Sequence, residues 1–185
     1  VRSVLRLKEN SQIALFNGEE GEWLSTIKTI AKKFVELEVI EQIKLQEVIS
    51  DIWLVFAPIK RTRIDYLAQK ATELGAGALW PIFTKYTSVS KVNAERLRSN
   101  SIEAAEQSGR LTVPKILDPI DFDTLIEKWP HDRDLFCLDE TGKGAPILDA
   151  FRSSHQRASG LLIGPEGGFA KEELDQVDKL GNVCR

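Results

Sequence analysis

The sequence predicts a two-part α/β protein, with a small antiparallel β unit in residues 1–50 and a parallel α/β domain in residues 51–185. Two observations predict it. Up to about residue 41, apolar residues alternate with polar ones and turn residues separate the runs, which is the period of half-buried strands. From residue 52 onward, short continuously apolar runs alternate with amphipathic stretches, the pattern of strands buried on both faces with helices between them.

In the first part, QIALF (12–16) runs into the hairpin pair Asn17-Gly18, and GEWLSTIKTI (21–30) and KFVELEVIE (33–41) continue the alternation. Strands this few bury little, so they read as a small sheet or barrel appended to the larger domain. In the second part, WLVFA (53–57) is the first buried strand. Thr62-Arg63-Ile64-Asp65 reads as a capping sequence for a helix with Ile64, Leu67, Ala68, Ala71 and Leu74 on one face, ended by Gly75. ALWPIF (78–83) follows as a strand, with Pro81 placing its outer half at an edge or bulge. Asn93 caps a helix to about Ser108, VPKIL (113–117) is a candidate strand, and Asp121 caps a helix over 122–128. DLFCLDE (134–140) and GLLIG (160–164) are further buried strands, and KEELDQVDKL (171–180) is the last helix.

Composition narrows the function classes. The 185 residues are 42% hydrophobic, with 25 Lys+Arg against 28 Asp+Glu, which excludes disorder and collagen. No apolar run approaches the ~18 residues of a membrane helix and no secretory leader is visible, so a cytoplasmic protein without membrane contact is expected. Cys137 and Cys184 form no CxxC pair, and His131 and His155 stand among polar residues; no disulfide framework or metal site is expected. Nothing resembles a Ser/His/Asp or Cys/His nucleophile. The net charge of −3 conceals a segregation: residues 52–115 carry ten basic and five acidic side chains, residues 116–185 eight and fourteen. A basic segment in an acidic chain suits a polyanion-binding face, and equally an ordinary solvated surface.

Four groups of residues can carry chemistry. Gly164-Pro165-Glu166-Gly167-Gly168-Phe169 lies between a buried strand and a helix, where side-chain-free backbone can approach a ligand. It is neither GxGxxG nor GxxxxGK[ST], and the bare pattern serves a tight structural turn as readily as a ligand loop. Glu103, Gln107 and Arg110 fall at i, i+4 and i+7 of the helix over 93–110, one polar stripe that can face RNA or simply solvent. Lys60, Arg61, Arg63 and Lys70 cluster as candidate phosphate contacts. Asp139-Glu140 end a strand, placed either to touch a ligand or to form a turn.

Taken in order, these pieces resemble the RsmE family, the methyltransferases that modify N3 of a uridine in 16S ribosomal RNA. The matches are VLRLK (4–8), LFNG followed by GEW (15–23), FAPIK (56–60), QKATELG (69–75), EAAEQSGR (103–110) with VP (113–114), LDE (138–140) and LIGPEGGF (162–169). The resemblance implies an N-terminal PUA-like RNA-binding β-barrel and a SPOUT α/β domain with a C-terminal trefoil knot, acting as a homodimer. It implies S-adenosylmethionine as methyl donor, no metal, and 16S ribosomal RNA in the small ribosomal subunit as partner. Leu138, Glu140, Ile163, Gly164, Pro165, Glu166, Gly167 and Gly168 would line the donor site; Lys60, Arg63, Lys70, Gln107 and Arg110 would contact RNA. Arg110 would stabilise charge developing on the uracil, and Glu103 is a candidate base, with an arginine or a residue beyond Arg185 as alternatives.

Three departures stand out. Ala170 replaces the serine that usually follows GPEGGF, although Glu173 keeps the other half of the capping box. Arg96-Leu97 replaces Arg-Trp. The sequence stops at Arg185, ahead of the knot-threading stretch, and contains no Met, so it reads as part of a longer two-domain chain with an incomplete donor pocket. Two other readings remain: a SPOUT methyltransferase for another RNA position such as tRNA, and a non-catalytic RNA-binding ribosome-assembly protein.

Overall fold

The computed structural model describes residues 7–142, 144–154 and 158–185. The start of the VLRLK motif and His155 lie outside the described residues. The chain forms two compact units, Val1–Val48 with Gly109–Thr112, and Ile49–Ser108 with Val113–Arg185.

The first unit is an antiparallel sheet in the order β1 (Gln12–Phe16), β2 (Glu22–Ile30), β3 (Val35–Lys44). The Asn17-Gly18 pair does not make a two-residue hairpin. Asn17 Oδ1 accepts from the backbone N of both Glu19 and Glu20 at 2.9 Å, and Gly18 and Gly21 both take positive φ, so the connection runs over 17–21. Ile27 and Ser25 are fully buried, whereas Val39, Ile40 and Ile43 of β3 remain exposed. Among the described residues the unit is a sheet rather than a closed barrel.

The second unit alternates strand and helix. Its elements are β4 (Ile52–Phe56), α1 (Arg61–Glu73), β5 (Ala78–Phe83), α2 (Ala94–Ser108), β6 (Lys115–Ile116), β7 (Ile120–Asp121), α3 (Phe122–Lys128), β8 (Asp134–Leu138), α4 (Ile147–Ser153), β9 (Ser159–Ile163), α5 (Lys171–Val177) and β10 (Val183–Cys184). The sheet is parallel with order β10-β8-β9-β4-β5-β6, and β7 also pairs with β5. The chain builds outward from β4 on one side and returns to the other, and such a reversal opens a crevice at the carboxyl ends of the strands.

Alternation along the strands explains the two cores. Val55 joins Trp80, Ile82, Leu135, Cys137 and Leu162 beneath Phe122, Leu125, Leu174 and Val177 of α3 and α5. Leu54 and Phe56 point the other way, with Leu79, to Ala68 and Ala71 of α1 and Leu97 of α2. Pro81 sits between the two short outer partners of β5, since β6 pairs with Ala78–Leu79 and β7 with Ile82–Phe83; its missing N–H falls in the gap.

Caps set the helix limits. Asn93 Oδ1 accepts from Arg96 N at 2.9 Å, and Asp121 Oδ1 from Thr124 N at 2.7 Å; the latter bond holds the Asp121 carboxyl below its usual range. The expected Thr62 capping sequence is not used: α1 starts two residues earlier, at Arg61 with Lys60 as N-cap and no side-chain cap. Leu74, expected on the packed face, is 83% exposed because it is the C-cap residue before Gly75, whose φ of 88° ends the helix.

At the amino ends of the strands, Trp53 meets Trp80 and Trp129 edge-on with ring centroids 5.7 and 6.2 Å away. The buried Arg133 guanidinium lies 3.8 Å over the Trp53 ring and donates to the carbonyls of Asp51 and Ser159 at 2.8 and 3.1 Å. Gly160 admits this cluster, since a Cβ there would overlap Trp129. Gly160→Ala is therefore expected to lower the urea midpoint by an amount equivalent to ~1–3 kcal/mol. Gly109→Ala, in open space at φ 69°, should lose only the ~1–2 kcal/mol of left-handed backbone.

Candidate functional site

The carboxyl ends of β8, β9 and β4 lie in register. Leu138 is paired with Ile163, and Ile163 in turn with Phe56. Leu138 and Ile163 are 39% and 36% exposed, so two neighbouring aliphatic side chains stand at the rim of an otherwise dry sheet. Beyond Ile163 the chain tightens into a turn in which Gly168 N donates to Pro165 O at 2.9 Å. Pro165 is buried at the start of this turn, and Glu166 and Gly167 face solvent. Gly168 takes a φ of 72°, and a Cβ there would overlap the Glu140 carboxylate. A Cβ on Gly164 would come within 2.8 Å of the Phe169 ring, which is itself buried in the core. The glycines thus let the loop backbone lie between Glu140 and Phe169 with its peptide groups close to the rim.

The exit of this loop is fixed by Glu173. Its Oε2 accepts from Ala170 N at 2.8 Å, the half of the capping box that does not depend on the residue at the N-cap, and its Oε1 accepts from Lys85 N at 2.7 Å. Glu173 is buried, so one carboxylate ties the start of α5 to the segment after β5. On the α1 side, Arg63 reaches Glu166 at 3.4 Å; both are exposed, so the pair adds little stability but brings the first turn of α1 beside the loop.

Behind β8, a 240 Å³ cavity is lined by Leu138, Asp139, Ala145, Ile147 and Arg185 among others. Burial works against the Asp139 charge, yet hydrogen bonds from Thr141 and Arg185 outweigh it and hold the carboxyl below its ordinary range. Arg185 Nε lies 2.8 Å from Asp139 and its Nη1 2.7 Å from Asp178, contacts that raise its own pKa. Burial next to Asp139 pushes the Cys137 thiol up to about 12, leaving it an inert core group. Nothing in the sequence flagged the Asp139–Arg185 pair beyond the LDE motif, because its partners are 46 residues apart.

The fold and rim set the frame for comparison with known proteins. Residues 46–184 match the RNA methyltransferase domain family model and residues 1–40 match the RNA methyltransferase PUA domain model. The chain is 35% identical to the ribosomal RNA small subunit methyltransferase E of Rickettsia conorii, over 99% of this chain and 75% of that protein. The Bacillus subtilis protein of the same name is 30% identical over 98% and 75%. The chain belongs to the ribosomal RNA small subunit methyltransferase E family. Among solved structures, ribosomal RNA small subunit methyltransferase E from Neisseria gonorrhoeae bound to S-adenosyl methionine superposes with a TM-score of 0.86 at 25% identity, covering 100% of this chain and 78% of that one.

Within this ribosomal RNA small subunit methyltransferase E fold, the expected site residues fall into two groups. Leu138, Glu140, Ile163 and the loop Gly164, Pro165, Glu166, Gly167, Gly168 come together at the rim. Aliphatic side chains for a flat base, loop peptide groups and a carboxylate for hydroxyls fit an adenosine-type ligand such as S-adenosylmethionine. Lys60 and Arg63 flank this rim, and Lys60 also lines a cleft of about 1060 Å³ with Ile59, Ile64 and the 89–97 segment.

The rest are not brought together as expected. Lys70 lies seven residues beyond Arg63, about 10 Å along α1, and its ammonium is bound by Glu73 at 2.6 Å. Arg110 is not on the α2 stripe: the helix ends at Ser108, Gly109 turns left-handed at φ 69°, and Gly109–Thr112 groups with the first unit. Glu103 and Gln107 stay on α2 and line a 310 Å³ cleft with Asp65, Tyr66 and Gln69. Since α2 runs from the rim toward the amino ends of the strands, they sit about 14 and 20 Å down the helix from its rim end.

The Asp139 pair gives a pH signature. A carboxyl held below its ordinary value of 3.8 stabilises the fold above that pH, and the contribution disappears as the pH falls through the lower folded value. Asp139→Asn is expected to be less stable at neutral pH and to show a shallower loss of stability below pH 3.8, read from urea midpoints across an acid series.

Proposed function

We propose that this chain transfers the methyl group of S-adenosylmethionine to N3 of a uridine in 16S ribosomal RNA within the small ribosomal subunit, in the cytoplasm and as a homodimer. The observation that carries the reading is the rim itself, where Leu138, Ile163, Glu140 and the Gly164–Gly168 backbone converge. Family membership and the S-adenosyl methionine-bound neighbour support it.

The donor supplies an electrophilic methyl group on a sulfonium. Leu138 and Ile163 would pack against the adenine, peptide groups of the loop would meet its polar edge, and Glu140 would accept from the ribose hydroxyls. Lys60 and Arg63 would hold phosphates, with Lys70 further along α1, and the PUA-like first unit would help hold the RNA. Uracil N3 must lose its proton before it attacks. Glu103 is the candidate acceptor of that proton, Gln107 would contact the base, and Arg110 would offset charge on the uracil oxygens. Most of the acceleration comes from holding the two reactants in line.

The position of Glu103 and Gln107 far down α2 favours the homodimer. A donor rim and a polar helix face separated within one copy are joined when two copies bring them together. Mixing Gly168→Val with Glu103→Ala protein is then expected to restore activity that neither variant shows alone; no recovery would point to a self-contained site.

Calorimetry of the full-length protein should show S-adenosylmethionine binding, weakened at least tenfold in folded Gly168→Val, whose side chain would displace Glu140. No heat with the wild type would favour the non-catalytic assembly protein. Arg110→Ala is expected to lower methylation of unmodified small subunits by roughly 10²-fold, with labelled donor and product mapping as the readout.

A further inference from the structure

Tyr86 stands beside the donor loop and has no part in the site described above. Its side chain is 49% exposed, and its Cβ lies 3.4 Å from the point a Cβ on Gly167 would occupy. The base of the side chain therefore lies next to Gly167, and the residue as a whole is half exposed.

The turn that carries it is firmly held. Thr84 N donates to Thr87 Oγ1 at 2.9 Å, the two threonine hydroxyls are 2.8 Å apart, and Thr87 N donates to Thr84 O at 3.1 Å. Lys85 N is bound by Glu173, the same buried carboxylate that fixes the exit of the Gly164–Phe169 loop. Tyr86 is thus locked to the loop by a shared anchor. Lys85 Nζ lies 5.8 Å over the ring and 3.3 Å from Glu172, placing an ion-paired cation beside one face of the ring. A flat ring at fixed height, an adjacent cation and a donor loop are what an unstacked nucleotide requires: a π-face for its base and a positive charge for its phosphate.

We propose that Tyr86 is a substrate-positioning residue, a stacking platform that holds an unstacked pyrimidine of the RNA substrate over the Gly164–Gly168 loop. The proposal rests on the ribosomal RNA methyltransferase reading and adds to it the group that orients the base at the rim. The ring face does the work, so the phenol hydroxyl is dispensable.

The full-length wild type and two variants, Tyr86→Phe and Tyr86→Ala, test it. With small ribosomal subunits as substrate, Tyr86→Ala is expected to raise KM for RNA roughly 5- to 150-fold, the factor that stacking one base on an aromatic ring supplies. Tyr86→Phe should match the wild type, and S-adenosylmethionine affinity by calorimetry should stay within about twofold in both. An unchanged KM in Tyr86→Ala overturns the platform. So does a parallel loss of donor affinity, which would make Tyr86 a support for the loop, or a loss of dimer by sedimentation, which would make it a contact between copies. Wild-type protein that binds no donor would instead overturn the methyltransferase reading. Fluorescence anisotropy with a single-stranded pyrimidine-rich RNA reads the platform separately, with weaker binding by Tyr86→Ala expected.

Discussion

The registration of β8, β9 and β4 is the constraint on which the rest depends. With Leu138 beside Ile163 and Ile163 beside Phe56, three strands end at one level and the chain leaves each of them into a different part of the site. A slip of one residue in any of them would reverse its faces, sending core side chains to the wrong layer and the rim residues out of reach. The glycine loop then needs no charged scaffold. Close packing against Phe169 on one side and Glu140 on the other sets its path.

Opposite ends of the same sheet do different jobs. At the amino ends, the three tryptophans and Arg133 lock β4, β8 and β9 together through ring packing and carbonyl contacts. At the carboxyl ends, the aliphatic side chains of Leu138 and Ile163 are exposed. Rigidity at one end holds the other in place without occupying it, as expected where a binding surface is preorganised on a packed scaffold.

Much of the second unit was legible because its signals are local. Continuous apolar runs mark β4, β8 and β9, and Asn93 and Asp121 cap the helices their positions suggested. Motif order pointed to the loop and to Glu140, and the fold supplies the contact between them. What was not legible depends on distant partners or on direction. The Asp139–Arg185 pair and the double role of Glu173 join residues that no sequence window contains together. The Glu103, Gln107, Arg110 stripe assumed a helix two residues too long; Gly109 carried the stop signal, and its left-handed turn removes Arg110 from that face. Counting along a helix also cannot say which end lies at the rim.

The left-handed turn at Gly109 has a wider consequence. It sends Gly109–Thr112 into the first unit, where Gln46 receives Gly21 N on Oε1 at 2.8 Å and donates from Nε2 to Leu111 O at 3.3 Å. The first unit is therefore sewn from two separated stretches of chain, and the second is interrupted by one of them. Neither can be cut out or exchanged as a single cassette: a swap at residue 48 would strip Leu111 of its Gln46 partner.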